Sequence, residues 1–304
     1  MSVSLWCEEE EDRGPKSRTG NGPRRAPWDP SASGQRIIVR LRQSEERYLP
    51  SQLYTALIQR HPQHREQLAR WALEVCSECG CDEAVFPLSV SLLDRYLSAT
   101  LSLPVSPYCL AAACILLASK LTESETVTAD TLCAAADYHF LPFNLREMER
   151  VVLATLRWDV AMVTPQDFIP HFLSMLGDLK DNDTVTKDFL MTLRRHSDTL
   201  VSLCMCDARF LGIPSSLIAA AAVNSALIGL GGKDQGKLDH MSSTLATLCQ
   251  TDVGVLQFYT ELIEGALKER LSHRLRDRGE EEEKEEGRED ERAGTPTDLR
   301  EIDF

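Results

Sequence analysis

Apolar residues return at helical spacing through almost the whole middle of this chain, and that rhythm limits its fold more than any other feature. Leu68, Trp71, Ala72 and Val75 follow the i, i+3, i+4, i+7 pattern that gathers side chains on one face of a helix. The stripe recurs at Phe86, Val90, Leu93 and Leu97, at Leu110, Cys114, Ile115 and Ala118, and at Met148, Val152 and Leu156 ahead of Trp158. Beyond it come Phe168, Phe172 and Leu176, then Phe189, Leu193 and Leu200, and last Leu256, Tyr259, Ile263 and Leu267. The small residues Ala219 to Ala222 suit a helix packed closely inside a core. Prolines 87, 104, 107, 142, 165 and 214 read as falling between stripes, with Pro107, Pro165 and Pro214 at first turns, where a missing N–H does no harm. Thr164 stands where an N-cap belongs. Alternating strand pairs and Asn-Gly hairpin signals are missing. The pattern predicts an all-α fold of about ten helices with the short connections of a globular bundle.

A break at residues 159–164, after Leu156-Arg157-Trp158-Asp159, divides the pattern into two halves of about five helices, with no sequence repeat between them. Residues 1–35, rich in Gly, Pro, Arg and Ser, read as a disordered arm. Residues 36–160 and 161–275 are the two expected domains, and 276–304 an acidic disordered tail. The formal charge of −14 is uneven: Asp277 to Phe304 hold 13 acidic and 5 basic residues, a net of −8, leaving −6 for everything before. A chain of this sign is not a general nucleic-acid binder, which needs a basic surface for phosphates. The 43% hydrophobic content is enough for a substantial core.

The start of the chain meets acid at Glu8 and Glu9 with no basic and apolar leader, so no secretory signal is expected. The longest clean apolar run, Leu110 to Ala118, is far short of the ~20 residues that cross a bilayer, so no membrane partner is expected. Ten cysteines are then expected to be reduced and buried. Cys76, Cys79 and Cys81 lack the second paired motif of a zinc site, and no metal is expected.

Catalytic signatures are missing as well. There is no Gly-rich phosphate loop, no H-E-x-x-H and no G-x-S-x-G, and the seven histidines are scattered. No cofactor is implied. A Cys–His hydrolase stays open on sequence, because its partners need only meet in space. A helical body with short linear motifs at both ends fits a regulatory binding module better than an enzyme.

Several strings then converge on one family. Arg65-Glu66-Gln67-Leu68-Ala69-Arg70-Trp71-Ala72-Leu73-Glu74-Val75-Cys76 resembles the opening of a cyclin box, as do Leu92-Leu93-Asp94-Arg95-Tyr96-Leu97 and Leu117-Ala118-Ser119-Lys120, while Leu156-Arg157-Trp158-Asp159 looks like its end. With Phe86-Pro87-Leu88 and Thr164-Pro165-Gln166-Asp167-Phe168 the likeness narrows to the D-type cyclins. Both ends agree: Leu5-x-Cys7-x-Glu9 has the retinoblastoma-binding L-x-C-x-E form, and Ala293 to Phe304, with Thr295-Pro296-Thr297, resembles the D-type phosphodegron terminus.

The resemblance implies two tandem five-helix cyclin folds and a non-enzymatic subunit that activates cyclin-dependent kinases four and six. It implies that these are directed at retinoblastoma-family proteins at the G1/S transition, in nucleus and cytoplasm. Kinase backbone would be gripped by Lys120 and Glu149. On the residues alone, Lys120 also reads as a cation complementing its helix end, and Glu149 as a partner of Arg146 or Arg150 on an exposed face. Phosphorylation of Thr295, assisted by Thr297, would recruit a ubiquitin ligase. Cip/Kip-type inhibitors are further implied partners.

One departure concerns the family's apolar docking groove for R-x-L motifs. The run here is His64-Arg65-Glu66-Gln67-Leu68-Ala69-Arg70-Trp71: Leu68 and Trp71 keep the pattern M-R-x-I-L-x-x-W, but His64 and Gln67 replace two apolar positions. A weakened docking patch is expected, with Trp71 open to a second reading as a core anchor. The alternative to kinase activation is a cyclin-fold adaptor or transcriptional scaffold.

Overall fold

The computed structural model describes residues 34–178, 187–230 and 235–272, and within these every regular element is helical. The elements are α1 Gln35–Glu45, α2 Gln52–Arg60, α3 Gln63–Glu78, α4 Val85–Thr100, α5 Pro107–Thr122, α6 Ala129–Ala135, α7 Pro142–Thr155, α8 Pro165–Asp178, α9 Lys187–Cys206, α10 Ser215–Gly229 and α11 Gln235–Leu248, with α12 over 253–272. Two sets of five, α3–α7 and α8–α12, follow two leading helices, α1 and α2. None of the helices among the described residues is long and apolar enough to cross a membrane.

Each half is built around its third helix. In α5 every residue from Cys109 to Ser119 is buried, and in α10 nearly every residue from Ser216 to Leu227 is. Helices apolar all round must be enclosed on all sides. Accordingly α5 packs against α3, α4, α6 and α7, and α10 against α8, α9 and α11. The two halves share this architecture without sharing a readable sequence repeat, because burial on every side demands only small and apolar residues.

Local chemistry explains the helix starts. Ser51 Oγ accepts the Tyr54 N–H to open α2, and Thr128 Oγ accepts that of Thr131 to open α6. At α8 the expected cap works in reverse: the Asp167 carboxylate accepts both the backbone N–H of Thr164 (2.7 Å) and its hydroxyl (3.0 Å). Burial holds the Asp167 carboxyl above its ordinary range, and these two bonds oppose that rise. Two prolines lie inside helices rather than between them. Pro87 is the third residue of α4, where the amide has no intrahelical acceptor to lose, and Pro170 is the sixth of α8.

The leading helix α1 precedes the first half in sequence but packs on the second, against α8, α10 and α11. Its last residue, Glu45, is buried and takes the Ser216 backbone N–H and hydroxyl at 2.7 Å each, a carboxylate at the N-terminus of α10.

Candidate functional site

The residues singled out by sequence fall in three places. Leu5, Cys7 and Glu9, with Thr295 and Thr297, lie outside the described residues. His64, Gln67, Leu68 and Trp71 lie on α3, and Lys120 and Glu149 on α5 and α7.

Lys120 and Glu149, 29 positions apart, are brought together: Nζ stands 2.5 Å from Oε1. The Lys120 side chain is 46% exposed while that of Glu149 is 13% exposed. Lys120 sits in the last turn of α5, so its stem lies along the helix end and its head reaches water. Glu149 is not an exposed-face partner of Arg150, whose guanidinium pairs with Glu147 instead. The end of α5 is held from two sides. Ser119 Oγ donates to Glu123 Oε2 at 2.6 Å, and the other oxygen of Glu123 accepts the Asp82 N–H at 2.7 Å.

The helices carrying this ion pair also expose apolar side chains, Leu121 on α5 and Phe143 and Val151 on α7, and the turns flanking α7 expose Tyr138 and Trp158. Tyr138 (65% exposed) and Trp158 (73%) each end a helix in a left-handed conformation, with φ of 54° and 62°. In both turns the aromatic N–H closes on a carbonyl five residues back, Cys133 at 2.8 Å and Leu153 at 2.9 Å. Non-glycine residues in this region cost about 1–2 kcal/mol each. Sequence reasoning missed both, because neither turn carries the glycine that signals such a cap.

On α3 the placement separates the four docking residues. Leu68 is turned into the core, His64 and Gln67 are exposed, and Trp71 is half-buried. Trp71 meets the Tyr108 ring edge-on at 5.2 Å, and Gln67 Nε2 donates to the Tyr108 hydroxyl at 2.9 Å. The polar residue at an expected apolar position is therefore tied to a neighbouring tyrosine. Tyr108 was also missed, since nothing in its local sequence links it to α3.

A third feature missed by sequence is buried at the seam between the halves. Arg65 (3% exposed) sends Nε and Nη2 to the two oxygens of Asp94 at 3.0 and 2.6 Å, and Nη1 to the Met205 carbonyl of α9 at 2.6 Å. The Tyr54 hydroxyl adds a 2.8 Å bond to Asp94. These form a chain of charge-assisted bonds, Tyr54–Asp94–Arg65–Met205, across α2, α4, α3 and α9. Beside it, Glu66 Oε1 accepts the Ala208 N–H at 3.1 Å, and Arg194 of α9 pairs with Glu83. The seam is thus fixed by polar contacts as well as packing.

Comparison with known proteins agrees with this architecture. Residues 36–161 match the family model of the cyclin N-terminal domain, and 163–278 that of the cyclin C-terminal domain. A viral cyclin from herpesvirus saimiri superposes with a TM-score of 0.57 at 22% identity, over 68% of this chain and 85% of its own. Two tandem all-α cyclin domains define the class. Among relatives, mouse G1/S-specific cyclin-D2 is 36% identical over 92% of this chain and 96% of its own length. Human G1/S-specific cyclin-D3 is 38% identical, over 83% and 85%. The chain belongs to the D-type cyclins of the cyclin family.

Proposed function

We propose that this cyclin is the activating subunit of a G1 cyclin-dependent kinase, of the type numbered four or six, and directs it at retinoblastoma-family proteins to promote the G1/S transition. The observation that carries the reading is the Lys120–Glu149 pair. A half-exposed ammonium and a mostly buried carboxylate, 2.5 Å apart, are held on two packed helices whose neighbouring residues expose apolar and aromatic side chains. Each charged group can satisfy backbone groups of a partner helix by charge-assisted bonds, while the apolar side chains supply buried area. In the partner, an inward push on the helix bearing the active-site Glu lets that Glu meet its strand Lys and opens the activation loop. The cyclin itself contributes no reacting group; it is a regulator, not an enzyme. Co-expression with each candidate kinase, purification of the complex and assay on a retinoblastoma fragment tests the reading. A chain that copurifies with neither kinase refutes it.

Target choice rests on the ends of the chain. Leu5 and Cys7 fit apolar pockets as an extended peptide, and Glu9 to Asp12 place acid against a basic rim. Substituting Leu5 and Cys7 together by Ala is expected to lower retinoblastoma pull-down at least tenfold; recovery at the wild-type level would sink this element.

Phosphate on Thr295, adding about −1.5 to −2 charge, marks the acidic tail for a ubiquitin ligase, with Thr297 assisting and the protein moving between nucleus and cytoplasm. Thr295→Ala is expected to lengthen the half-life in a cycloheximide chase by at least twofold, and an unchanged half-life counts against a degron here.

Docking of R-x-L motifs, including those of Cip/Kip-type inhibitors, is weak in this reading. Loss of two apolar groove positions at about 25 cal/mol per Å² weakens such peptides by about 1–3 kcal/mol. The Gln67–Tyr108 bond adds a polar contact that an incoming leucine would have to displace. Titration of a fluorescent R-x-L peptide should show affinity about 5- to 150-fold below that of a cyclin with an intact M-R-x-I-L-x-x-W run. Equal affinity would contradict the assignment.

A further inference from the structure

We propose that Cys76 and Cys81 form a peroxide-sensitive dithiol that closes to an intramolecular disulfide at the C-terminus of α3. The end of this helix has a specific geometry. The Cys81 N–H bonds the Cys76 carbonyl at 2.9 Å, and the Gly80 N–H bonds the Ser77 carbonyl at 3.2 Å, with Gly80 in the left-handed region at φ 65°. These two bonds make a Schellman turn, in which the side chains at its first and last positions pack against each other. In this chain both of those positions are cysteines. The turn therefore sets the two cysteine side chains side by side.

The two sulfurs differ in access. Cys76 is buried, 5% exposed, and Cys81 is half-buried. The neighbouring Cys76 thiol favours the thiolate at Cys81 and pulls its thiol below the ordinary range, against burial and the nearby Glu123 carboxylate. All nine cysteines among the described residues are free, and burial pushes Cys109 to about 11 and Cys249 to about 12. No group of three His, Cys, Asp or Glu side chains among the described residues is arranged to hold a metal.

The oxidant is a hydroperoxide such as hydrogen peroxide. The Cys81 thiolate attacks one peroxide oxygen: the S–O bond forms, the O–O bond breaks, and hydroxide leaves and takes up a proton as water. The Cys76 sulfur then attacks the sulfenic sulfur of Cys81. The S–S bond forms, the S–O bond breaks, and the hydroxyl leaves with the Cys76 proton as a second water. Two thiols lose two electrons in total and one peroxide gains them; a dithiol reductant reverses the step. The adjoining Asp82 N–H holds Glu123 at the end of α5, so closure would lock the turn that anchors that helix.

Peptide mapping of the full-length reduced chain tests this. After a tenfold excess of hydrogen peroxide and blocking with N-ethylmaleimide, trypsin releases residues 71–95, which hold Cys76, Cys79 and Cys81. The expected peptide has lost two hydrogens and carries one maleimide, located on Cys79 by fragmentation, and dithiothreitol restores three labelling sites. In Cys81→Ser the loss of two hydrogens should slow at least tenfold, and in Cys76→Ser a dimedone adduct should collect on Cys81. Label on Cys76, which would mean a Cys79–Cys81 bond, or a peptide unchanged by peroxide, overturns the proposal. The wild-type map decides this even if a buried Cys76 variant fails to fold.

Discussion

Replacing Arg65 by Met should lower the unfolding free energy by about 3–5 kcal/mol in a urea titration, because it strands a buried charge. Asp94 is buried at the seam, 4% exposed, and it loses two guanidinium bonds of 3.0 and 2.6 Å while keeping only the Tyr54 hydroxyl. The Met205 carbonyl of α9 loses its 2.6 Å donor in the same step, so the two halves lose a polar tie as well. Because desolvation opposes every buried ion pair, the double change Arg65→Met with Asp94→Leu should cost clearly less than Arg65→Met alone. If the single variant unfolds within about 1 kcal/mol of wild type, this chain of bonds does not bind the seam together.

This buried network also shows where sequence reading stopped. The stripe of α3 was legible from Leu68 onward, yet Arg65 stands three residues before Leu68 and seven before Ala72, on the same face. Asp94 likewise falls in register with Val90 and Leu97 on α4. A charged residue in phase with a core stripe was the signal, and pairing two such residues across helices would have pointed to the Arg65–Asp94 pair. The helices themselves were legible because a 3.6-residue period survives any choice of apolar side chain. The packing of α1 on the second half was not, since an amphipathic stripe states that a face is buried but not against what. The juxtaposition of Lys120 with Glu149 came only through resemblance to a family; no local rule links positions 29 apart. The left-handed turns at Tyr138 and Trp158 gave no sign, because their residues contradict the usual glycine preference.

The second large effect concerns that ion pair. Exchanging the charges, with Lys120→Glu and Glu149→Lys in one chain, preserves an opposite-charge pair, so stability should change by no more than about 1 kcal/mol. For a partner the exchange is severe. Each group that would grip kinase backbone now presents the wrong sign, and charge-assisted bonds of this kind are worth about 1.5–3 kcal/mol each. Kinase affinity should therefore fall at least ~100-fold, about 2.7 kcal/mol or more. A structural role alone would leave both the melting temperature and partner affinity near wild type, because the pair is kept; loss of affinity at an unchanged melting temperature is expected.

The most direct test is to titrate a fixed amount of kinase four or six with this cyclin and read phosphorylation of a retinoblastoma fragment. Wild-type chain should give saturable activation, and the Lys120→Glu, Glu149→Lys chain, folded to the same melting temperature, should need at least ~100-fold more protein for the same rate. Equal activation by both chains, or none by the wild type, would contradict a kinase-activating role seated on α5 and α7.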